Sequence, residues 1–590
     1  MSHSPIEVVA EVDVTDMEKR LRSRKYIHAD AIAASKGIQL PYHLGRELTR
    51  LCVVRGIRFH PDFCFGPAAV LRGSLPLFTR ALNARAVMSN QVPDMDPDRP
   101  EEMPYCIWYP ELPSADTLRE LVRRFPAMAY QAARACAVAG HTELYREIAH
   151  HILPEIAIAE EARESGNLEI FNLIMDAPCR YKVFDDYNRS MNTTSPKPAF
   201  LNADTAVRPY LLETQSFEPP IGRMDDEEGD SEPDDNEEDP WTMGPHPGFV
   251  QSQFNITEDM NVDSDGNNAY SGWVESKAPE GVDEEGLKLL CQPLPADLTT
   301  CHKDMLILMA AYSGDIDRYH RLRRPRLLPD ETACIVRGIY HNTMFAQWWR
   351  NQPRLPEGDN MAIRRAISAR GIMNNDLSYV LSSEGEYPQL IWYPAVAASS
   401  TYEALARLVP LMRPDVARAA IFSNNRWLFD NLITGGDGGD PVEPTFALLN
   451  EAKRNHNGQY REVLERRAGE LGLDITQGGP QHAPLVQDVP QHRHWFNTKS
   501  SRWRIGIGTA KGDLDSIYNG RACNASYVET YMSIPKEWRW PPEGFESEDG
   551  DSVVDLDYVG WPLGFSKRAL TWRQAALNRR GGLSGRTFGF

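Results

Sequence analysis

The chain has 590 residues, a formal net charge of −20 and 42% hydrophobic residues. This length is too great for one hydrophobic core, so two or more domains are expected. The acidic balance disfavours a chain-wide role on nucleic acid or an anionic membrane, because both require clustered Lys and Arg.

The N-terminal stretch MSHSPIEVVAEVDVTD has neither a basic start nor an apolar core, so no signal peptide is expected. The longest apolar run, residues 305–312, is far shorter than the ~20 residues that span a bilayer. The nine cysteines are dispersed and form no CxxC pair. This pattern predicts reduced thiols and therefore a cytoplasmic or nuclear protein, neither secreted nor membrane-spanning.

A degenerate repeat runs along the chain. A small residue is followed four positions later by Gly or Asn, and five positions after that by an aromatic or aliphatic residue. The copies are Ala69–Gly73–Phe78, Cys136–Gly140–Tyr145, Ala162–Gly166–Phe171, Ala310–Gly314–Tyr319, Ala420–Asn424–Phe429 and Gly508–Gly512–Ile517. The pattern predicts helix–turn–helix units: Gly or Asn ends the first helix in a left-handed conformation. A polar residue such as His141, Asn167 or Asp315 then caps the second helix.

These blocks, for example CAVAGHTELYREI and AAYSGDIDRYHRL, resemble the ankyrin repeat. The resemblance implies stacked helix pairs and a role in protein–protein binding. The T-P-L-H turn of that family is absent, since residues 305–308 read MLIL where it is expected, and the spacing of the copies is irregular. A generic α-solenoid of helix pairs is the alternative.

The tetrapeptide IWYP occurs twice, at 107–110 and 391–394. Its aromatic residues precede a capped helix, where such side chains most often wedge between helices. The other interpretation is an aromatic patch that binds a partner. The candidate partner-binding residues are Trp108, Tyr109, Trp392 and Tyr393.

An acidic segment lies mid-chain. Residues 225–239 read DDEEGDSEPDDNEED, with 11 acidic residues in 15. A segment that repels itself and has little apolar surface is expected to be disordered, so residues 214–286 are predicted to form a linker. It is either a solvated spacer or a lure for a basic partner.

The regions on either side of the linker are related. Residues 102–148 align with residues 386–432 without a gap, with 15 identities in 47 positions. Upstream, CVVRGI at 52–57 matches CIVRGI at 334–339. The chain therefore has the pattern of an internal duplication into two lobes, residues 1–213 and 287–590.

Several short motifs imitate ligand sites. GIGTAKGDLD at 506–515 lacks the GxxxxGK[ST] spacing of a phosphate loop, and its glycines fit the sixth repeat copy instead. GGDGGD at 435–440 is a single calcium-like turn, interpreted as a flexible loop. Residues 261–272 begin like an EF-hand loop but lack its final Glu. Cys291, Cys301 and His302 lack a fourth ligand at zinc spacing, and His482, His492 and His494 are interpreted as part of a loop, with weak metal binding as the alternative. The basic tail 566–590 is either solvated, docked on the acidic linker or bound to an acidic partner.

Together these features predict an all-α fold, an α-solenoid of stacked ankyrin-like helix pairs in two lobes joined by a disordered acidic linker. The predicted function is a non-catalytic scaffold or adaptor that binds an unidentified protein partner. No catalytic, cofactor-binding or metal-binding residue is assigned. The alternative is an enzyme or pathway accessory protein with a small-molecule site between the lobes. The oligomeric state stays open.

Overall fold

The computed structural model describes residues 14–203, 206–208, 211, 256–259, 289, 292–301, 303–325, 327, 331–353, 355, 360–382, 387–476, 492–495, 504–509, 529–533 and 553–555. The described residues are predominantly helical. The chain divides into two compact units: unit 1 comprises residues 1–276 and 295–301, and unit 2 comprises residues 277–294 and 302–590. Most of the predicted acidic linker lies outside the described residues.

Unit 1 is built from short helices followed by two small β-ladders. The helices are α1 (Val14–Arg22), α2 (His28–Ser35), α3 (Glu47–Phe59), α4 (Pro61–Phe65), α5 (Pro76–Met88), α6 (Ala115–Arg124), α7 (Ala129–Ala139), α8 (Thr142–Ile148), α9 (Ile156–Glu164) and α10 (Leu168–Met175). The strands are β1 (Tyr181–Lys182), β2 (Phe184–Asp185), β3 (Ser190–Met191) and β4 (Lys197–Pro198). β1 pairs antiparallel with β4, and β2 pairs antiparallel with β3.

Unit 2 continues in the same style. Its helices are α11 (Lys303–Ser313), α12 (Ile316–Leu322), α13 (Glu331–His341), α14 (Thr343–Arg350), α15 (Asn360–Met373), α16 (Ser378–Ser382), α17 (Ser399–Leu408), α18 (Arg413–Phe422), α19 (Arg426–Thr434), α20 (Phe446–Arg454) and α21 (Gln459–Leu471). In both units the main packing partners lie close together in sequence, such as α3 with α5, α7 with α9 and α13 with α15. Each short amphipathic helix therefore buries its apolar face against its near neighbours.

The predicted turns between paired helices are confirmed at five of the six repeat copies. Gly73, Gly140, Gly166, Gly314 and Asn424 all have positive φ, between 55° and 78°. Helices α7 and α8 meet at Gly140, α9 and α10 at Gly166, and α18 and α19 at Asn424. At these positions a residue that adopts the left-handed conformation at little steric cost reverses the direction of the chain.

The predicted caps are correct at only one of the three named positions. The Asp315 side chain accepts a hydrogen bond from the Arg318 N–H at 3.1 Å and so caps α12. His141 and Asn167 occupy the same position before α8 and α10, but their side chains do not bond to those helices. Asn167 instead points toward the preceding helix pair.

Asparagine side chains join each turn to the one before it. In three places the Nδ2 of an asparagine side chain donates a hydrogen bond to a backbone carbonyl. That carbonyl lies at the end of the first helix in the preceding helix pair. The pairs are Asn167 with Ala137 (2.7 Å), Asn342 with Gly314 (3.0 Å) and Asn455 with Ile421. These bonds satisfy carbonyls that a helix end leaves without an intrahelical partner. In these three places a hydrogen bond therefore joins one turn to the turn before it.

The sixth predicted copy is wrong, and the predominantly helical chain also contains a small sheet. Residues Arg504–Thr509 form strand β6, in an antiparallel sheet of order β5-β6-β7-β8 with β5 (His492–Trp495), β7 (Glu529–Ser533) and β8 (Val553–Asp555). The sequence Ile505-Gly506-Ile507-Gly508 alternates with the two-residue period of a strand. This local period prevails over the wider glycine spacing that suggested another helix pair.

None of the helices in the described part of the chain combines the length and the apolar character needed to cross a bilayer.

Two glycines offer a matched test of the stacked turns. A Cβ added at Gly140 would lie 2.7 Å from Asn167 Oδ1, whereas one added at Gly166 meets nothing within 4 Å. Because both residues have positive φ, Gly166→Ala is expected to cost about 1 kcal/mol from backbone strain alone. Gly140→Ala should cost clearly more, since it also disturbs the Asn167 bond. Urea unfolding of the two variants measures the difference, and equal losses would show that the turns are not coupled.

Candidate functional site

The two IWYP motifs lie mainly in the interior. Trp108, Tyr109 and Trp392 have exposed fractions of 0%, 1% and 0%, and Tyr393 is half-buried. The rings of the first three therefore present no surface on which a partner could dock. This placement favours packing over direct partner binding for those rings.

Each motif Trp packs against an arginine from the second α-helix that follows it. The guanidinium carbon of Arg134 lies 4.5 Å from the centroid of the Trp108 ring, and that of Arg418 lies 5.2 Å from the Trp392 ring. The two arginines stand at equivalent places in the internal duplication. A cation on the face of a buried indole is attracted by the negative face of the ring, so both contacts stabilise the packing of motif against helix.

Arg134 is the centre of a buried charge cluster in unit 1. It donates two hydrogen bonds to the Asp186 carboxylate, at 2.8 and 3.0 Å, and one to Glu161 at 3.1 Å. The Tyr105 hydroxyl donates a further bond to Asp186 at 2.7 Å. Buried carboxylates are tolerated only when paired and hydrogen-bonded in this way. Arg418 in unit 2 pairs with one carboxylate, Glu451, at 3.1 Å.

Carboxylates at and within helix α9 hold residues 181–203 and 206–208, which include the short strands β1 to β4, against the helices of unit 1. We call these residues the docked segment. Glu155 accepts backbone N–H bonds from Val183 and Phe184, Glu160 accepts them from Asn202 and Ala203, and Glu161 accepts them from Val207 and Arg208. The bonds run from 2.7 to 3.4 Å. Three acidic side chains thus accept the backbone N–H bonds that the carbonyls of a neighbouring β-strand would accept in a sheet.

A second group of arginines surrounds a short piece of the predicted linker. Arg55 and Arg58 lie on α3, Arg80 lies on α5 and Arg189 belongs to the docked segment. We call these four residues the arginine cleft. They converge on residues 256–259, Ile-Thr-Glu-Asp, which form a bend and which we call the acidic turn.

The cleft recognises the acidic turn by charge and by its backbone. Arg80 Nε lies 2.7 Å from Glu258 Oε1, and Arg58 Nη1 lies 3.7 Å from Glu258 Oε2. Arg55 Nη1 lies 3.4 Å from Asp259 Oδ2. The backbone carbonyl of residue 257 accepts a hydrogen bond from Arg189 Nη1 at 2.8 Å.

The acidic turn is covered as well as paired. Ile256 and Thr257 have no exposed surface, and Glu258 and Asp259 are buried. Ile256 joins the apolar core that also contains Trp108 and Tyr109. Burial lowers the pKa of Arg189 below its ordinary value, against the opposing attraction of Glu258. Such desolvated charge pairs are costly to break, because each partner is then left buried without its counter-ion.

The first IWYP motif and the residue before it contact the arginine cleft and hold it in place. Arg58 donates hydrogen bonds to the backbone carbonyls of Cys106 and Tyr109. The Tyr109 ring meets the Phe59 ring edge-on at 5.7 Å, and Arg55 lies over Phe59 at 4.3 Å. Burial raises the pKa of Tyr109 to about 12, and the nearby Asp259 carboxylate adds to that rise. Of the predicted site residues, Tyr109 is therefore the one that borders the cleft.

The arginine cleft was not predicted from the sequence. Arg55 belongs to the repeated CVVRGI motif, but its partners are some 200 residues away in sequence. One signal was present: Phe254, Ile256 and Met260 form a small apolar group within an otherwise polar stretch. An apolar group beside Glu258 and Asp259 is the pattern of a segment that docks on a protein surface.

Some of the short motifs that imitate ligand sites lie within the described residues. The loop at 435–440 is not free, because Arg413 donates to both carboxylate oxygens of Asp437 (2.6 and 2.9 Å) and to the carbonyl of Asp440. Residues 261–272, Cys291, His302, His482 and the tail 566–590 lie outside the described residues, as do the side chains of His492 and His494. Within the described part of the chain, no group of three or more His, Cys, Asp or Glu is placed to hold a metal.

The cysteines in the described ranges form no disulfide bonds, and most are buried. Burial raises the pKa of Cys52, Cys64 and Cys136 to about 12 and that of Cys106 to about 11. A thiol with such a pKa holds its proton at neutral pH and is a poor nucleophile. These four cysteines therefore contribute to the packing of the hydrophobic core.

Comparison with known proteins gives one partial match. A family described as the YKP1 C-terminal domain matches residues 108–209. The matched stretch begins at Trp108 and contains Arg134, helix α9 and the docked segment. Neither the curated proteins nor the solved structures contain a significant match to the chain.

Arg134 and Arg418 give a test of the charge clusters. Arg134→Met leaves Asp186 and Glu161 buried without their counter-ion, so we expect a loss of about 3–5 kcal/mol of unfolding free energy. Arg418→Met strands one carboxylate and should cost less. Urea unfolding followed by circular dichroism compares the two. Equal losses would contradict the central place given to Arg134.

The buried acids also predict a pH dependence. Burial raises the pKa of Glu155 to about 7, while the partly opposing attraction of Arg134 lowers it. In the unfolded chain Glu155 releases its proton near pH 4.5. Between these values the folded state holds a proton that the unfolded state has lost, so stability falls as the pH rises through about 7. Glu155→Gln should flatten the decline in unfolding free energy between pH 5.5 and 8. If the unfolding free energy of this variant declines as steeply as before, other titratable groups cause the decline.

Proposed function

We propose that the protein is a non-catalytic scaffold, in which stacked ankyrin-like helix pairs bind short acidic segments of protein partners. One observation carries this proposal: unit 1 already holds such a segment, the acidic turn, in the arginine cleft. The binding residues lie on two helices and the docked segment, and the bound residues come from a distant part of the sequence. A helical surface that captures a peptide of its own chain has the chemistry to capture one from another chain.

The stacked turns support the solenoid part of the proposal. Helix pairs joined by left-handed turns, with each turn bonded to the one before it, are the arrangement from which repeat proteins build extended binding surfaces. The pairs that show this bond include Asn167 with Ala137 in unit 1 and Asn342 with Gly314 in unit 2. Two lobes of such pairs would offer two related surfaces.

The chemistry of the cleft defines the kind of segment it selects. Arginine presents several N–H groups in a rigid plane that suits carboxylates. Arg80 and Arg58 both approach Glu258, and Arg55 approaches Asp259. A segment with two adjacent carboxylates satisfies all three arginines. A neutral segment leaves them buried and unpaired, which penalises its binding. Binding of this kind suits a cytoplasmic or nuclear adaptor.

The test uses the full-length chain with its own turn weakened by Glu258→Gln and Asp259→Asn. The probe is a fluorescent peptide with the sequence of residues 252–263, SQFNITEDMNVD. We expect saturable binding by fluorescence anisotropy. Adding Arg80→Ala should weaken it at least about tenfold, the equivalent of about 1.4 kcal/mol.

The matched control for Arg80→Ala is Arg123→Ala. The Arg123 side chain is 70% exposed on α6 and pairs with Glu120. Its removal should leave binding unchanged while altering the net charge equally. A probe with Gln and Asn in place of the two acids should bind weakly. If the folded double variant binds no peptide, or if Arg80→Ala and Arg123→Ala behave alike, the proposal is wrong.

A further inference from the structure

The arginine cleft brings more positive charge to Glu258 than one carboxylate can balance. Arg80 Nε lies 2.7 Å from Glu258 Oε1, and Arg58 Nη1 lies 3.7 Å from Oε2 of the same side chain. Within the described part of the chain, neither arginine forms a salt bridge with any other carboxylate. Two guanidinium groups therefore share a single negative charge, at a place where Glu258 and Arg58 are both buried.

Asp259 does not supply the second negative charge. One of its carboxylate oxygens accepts a hydrogen bond from the Thr257 hydroxyl, and the other lies 3.4 Å from Arg55 Nη1. Both oxygens are thus engaged with groups other than Arg58 and Arg80. A buried cation without a full counter-ion is costly, because it has lost its hydration and gained too little in return.

A third arginine lies in the same positive surroundings. Arg189 donates a hydrogen bond to the backbone carbonyl of residue 257. Burial lowers the pKa of Arg189, and although Glu258 opposes this fall, the repulsion of Arg80 and Arg58 adds to it. The acidic turn therefore leaves a surplus of positive charge around Glu258, which a more highly charged ligand would balance.

Arg58 is held in position for such a ligand. Its Nη2 donates hydrogen bonds to the backbone carbonyls of Cys106 and Tyr109, and these bonds fix the plane of the guanidinium group. The 3.7 Å between Nη1 and Glu258 Oε2 is longer than a direct hydrogen bond. The donor is thus preorganised, and the carboxylate is the partner that falls short of it.

A phosphorylated serine supplies what the glutamate lacks. The same number of bonds separates Cα from the terminal oxygens in phosphoserine and in glutamate, so the two side chains reach equally far. The phosphoryl group carries about −1.5 to −2 charges at pH 7 and three acceptor oxygens. Arginine binds phosphate through paired N–H bonds, as it binds carboxylate, and clusters of arginines recognise phosphorylated segments.

We infer that the arginine cleft is a phosphopeptide site, whose preferred ligand is a partner segment with phosphoserine at the place of Glu258 and an acidic residue at the place of Asp259. The phosphate is shared by Arg80 and Arg58, and the acidic residue keeps the contact with Arg55. The inference rests on the proposed function, because it takes the cleft to be the site that binds a partner segment.

The experiment uses the full-length chain with Glu258→Gln and Asp259→Asn, which weaken the chain's own turn. Two fluorescent peptides of residues 252–263 are titrated into it, one with the natural sequence and one with phosphoserine in place of the Glu at 258. At pH 7.5 we expect the phosphopeptide to bind at least about tenfold more tightly, which is one decade in Kd. Adding Arg80→Ala should remove most of this preference, whereas adding Arg123→Ala should leave it unchanged.

A third peptide is the matched control for charge. It carries its phosphate on the serine at 252 and has Gln in place of the Glu at 258, so its net charge equals that of the phosphopeptide. Because its phosphate lies away from Arg80 and Arg58, it should bind no more tightly than the natural peptide. Free inorganic phosphate at the concentration of the phosphopeptide should not displace the phosphopeptide.

The pH gives an independent readout. Phosphoserine releases its second proton near pH 6, whereas a glutamate side chain is already ionised above about pH 5. The ratio of the two affinities should therefore rise between pH 5 and pH 7.5. Any effect of pH on the protein alters the binding of both peptides alike and cancels in this ratio.

The outcomes separate this inference from the proposed function. If the natural peptide binds through Arg80 but the phosphopeptide binds no more tightly, the inference is wrong and the proposed function stands. If neither peptide binds the folded variant, both are wrong. If the charge-matched control binds as tightly as the phosphopeptide, or if free phosphate displaces it, the cleft attracts anions without recognising a phosphorylated segment, and the inference is again wrong. Circular dichroism confirms that the Arg80→Ala variant is folded.

Discussion

Unit 1 depends on buried carboxylates that accept backbone N–H groups. The docked segment brings its peptide groups into the interior without forming a continuous sheet, and buried N–H groups must find acceptors. Glu155, Glu160 and Glu161 supply them. Arg134 then balances the negative charge that these acids bring inside, and its other face packs on Trp108. The core of unit 1 therefore combines apolar packing with a buried ionic cluster. Each depends on the other, because Arg134 contacts both the acids and the Trp108 ring.

The sequence was informative wherever a local backbone constraint decided the structure. The left-handed turns at Gly140 and Asn424 could be predicted because few residues adopt positive φ without cost. The same reasoning failed at Gly508, where alternating Ile and Gly follow the period of a strand. Spacing between glycines carries less information than the period of the apolar residues between them.

The site was far less predictable than the turns. The first IWYP motif borders the cleft because Arg58 donates to the backbone carbonyls of Tyr109 and of Cys106 just before the motif, and no side-chain pattern reveals such bonds. The arginine cleft joins residues 55–80 to residues 256–259, and a single sequence gives no register for such a pairing. Asn167 was expected to cap its own helix. Its amide nitrogen serves the preceding helix pair instead, whereas Asn342 does both, since its oxygen caps its own helix while its nitrogen bonds the preceding turn.

The bonds between successive turns have a consequence for how the chain can change in evolution. The asparagine of each pair completes the end of the pair before it, so a helix hairpin and the asparagine that begins its second helix form one transferable module. Where such a bond is present, loss or insertion of a whole module keeps an asparagine available to the helix end before it, whereas a break within a module exposes carbonyls on one side and leaves an amide without its acceptor on the other. Lineages of this protein should therefore differ in length by whole hairpins.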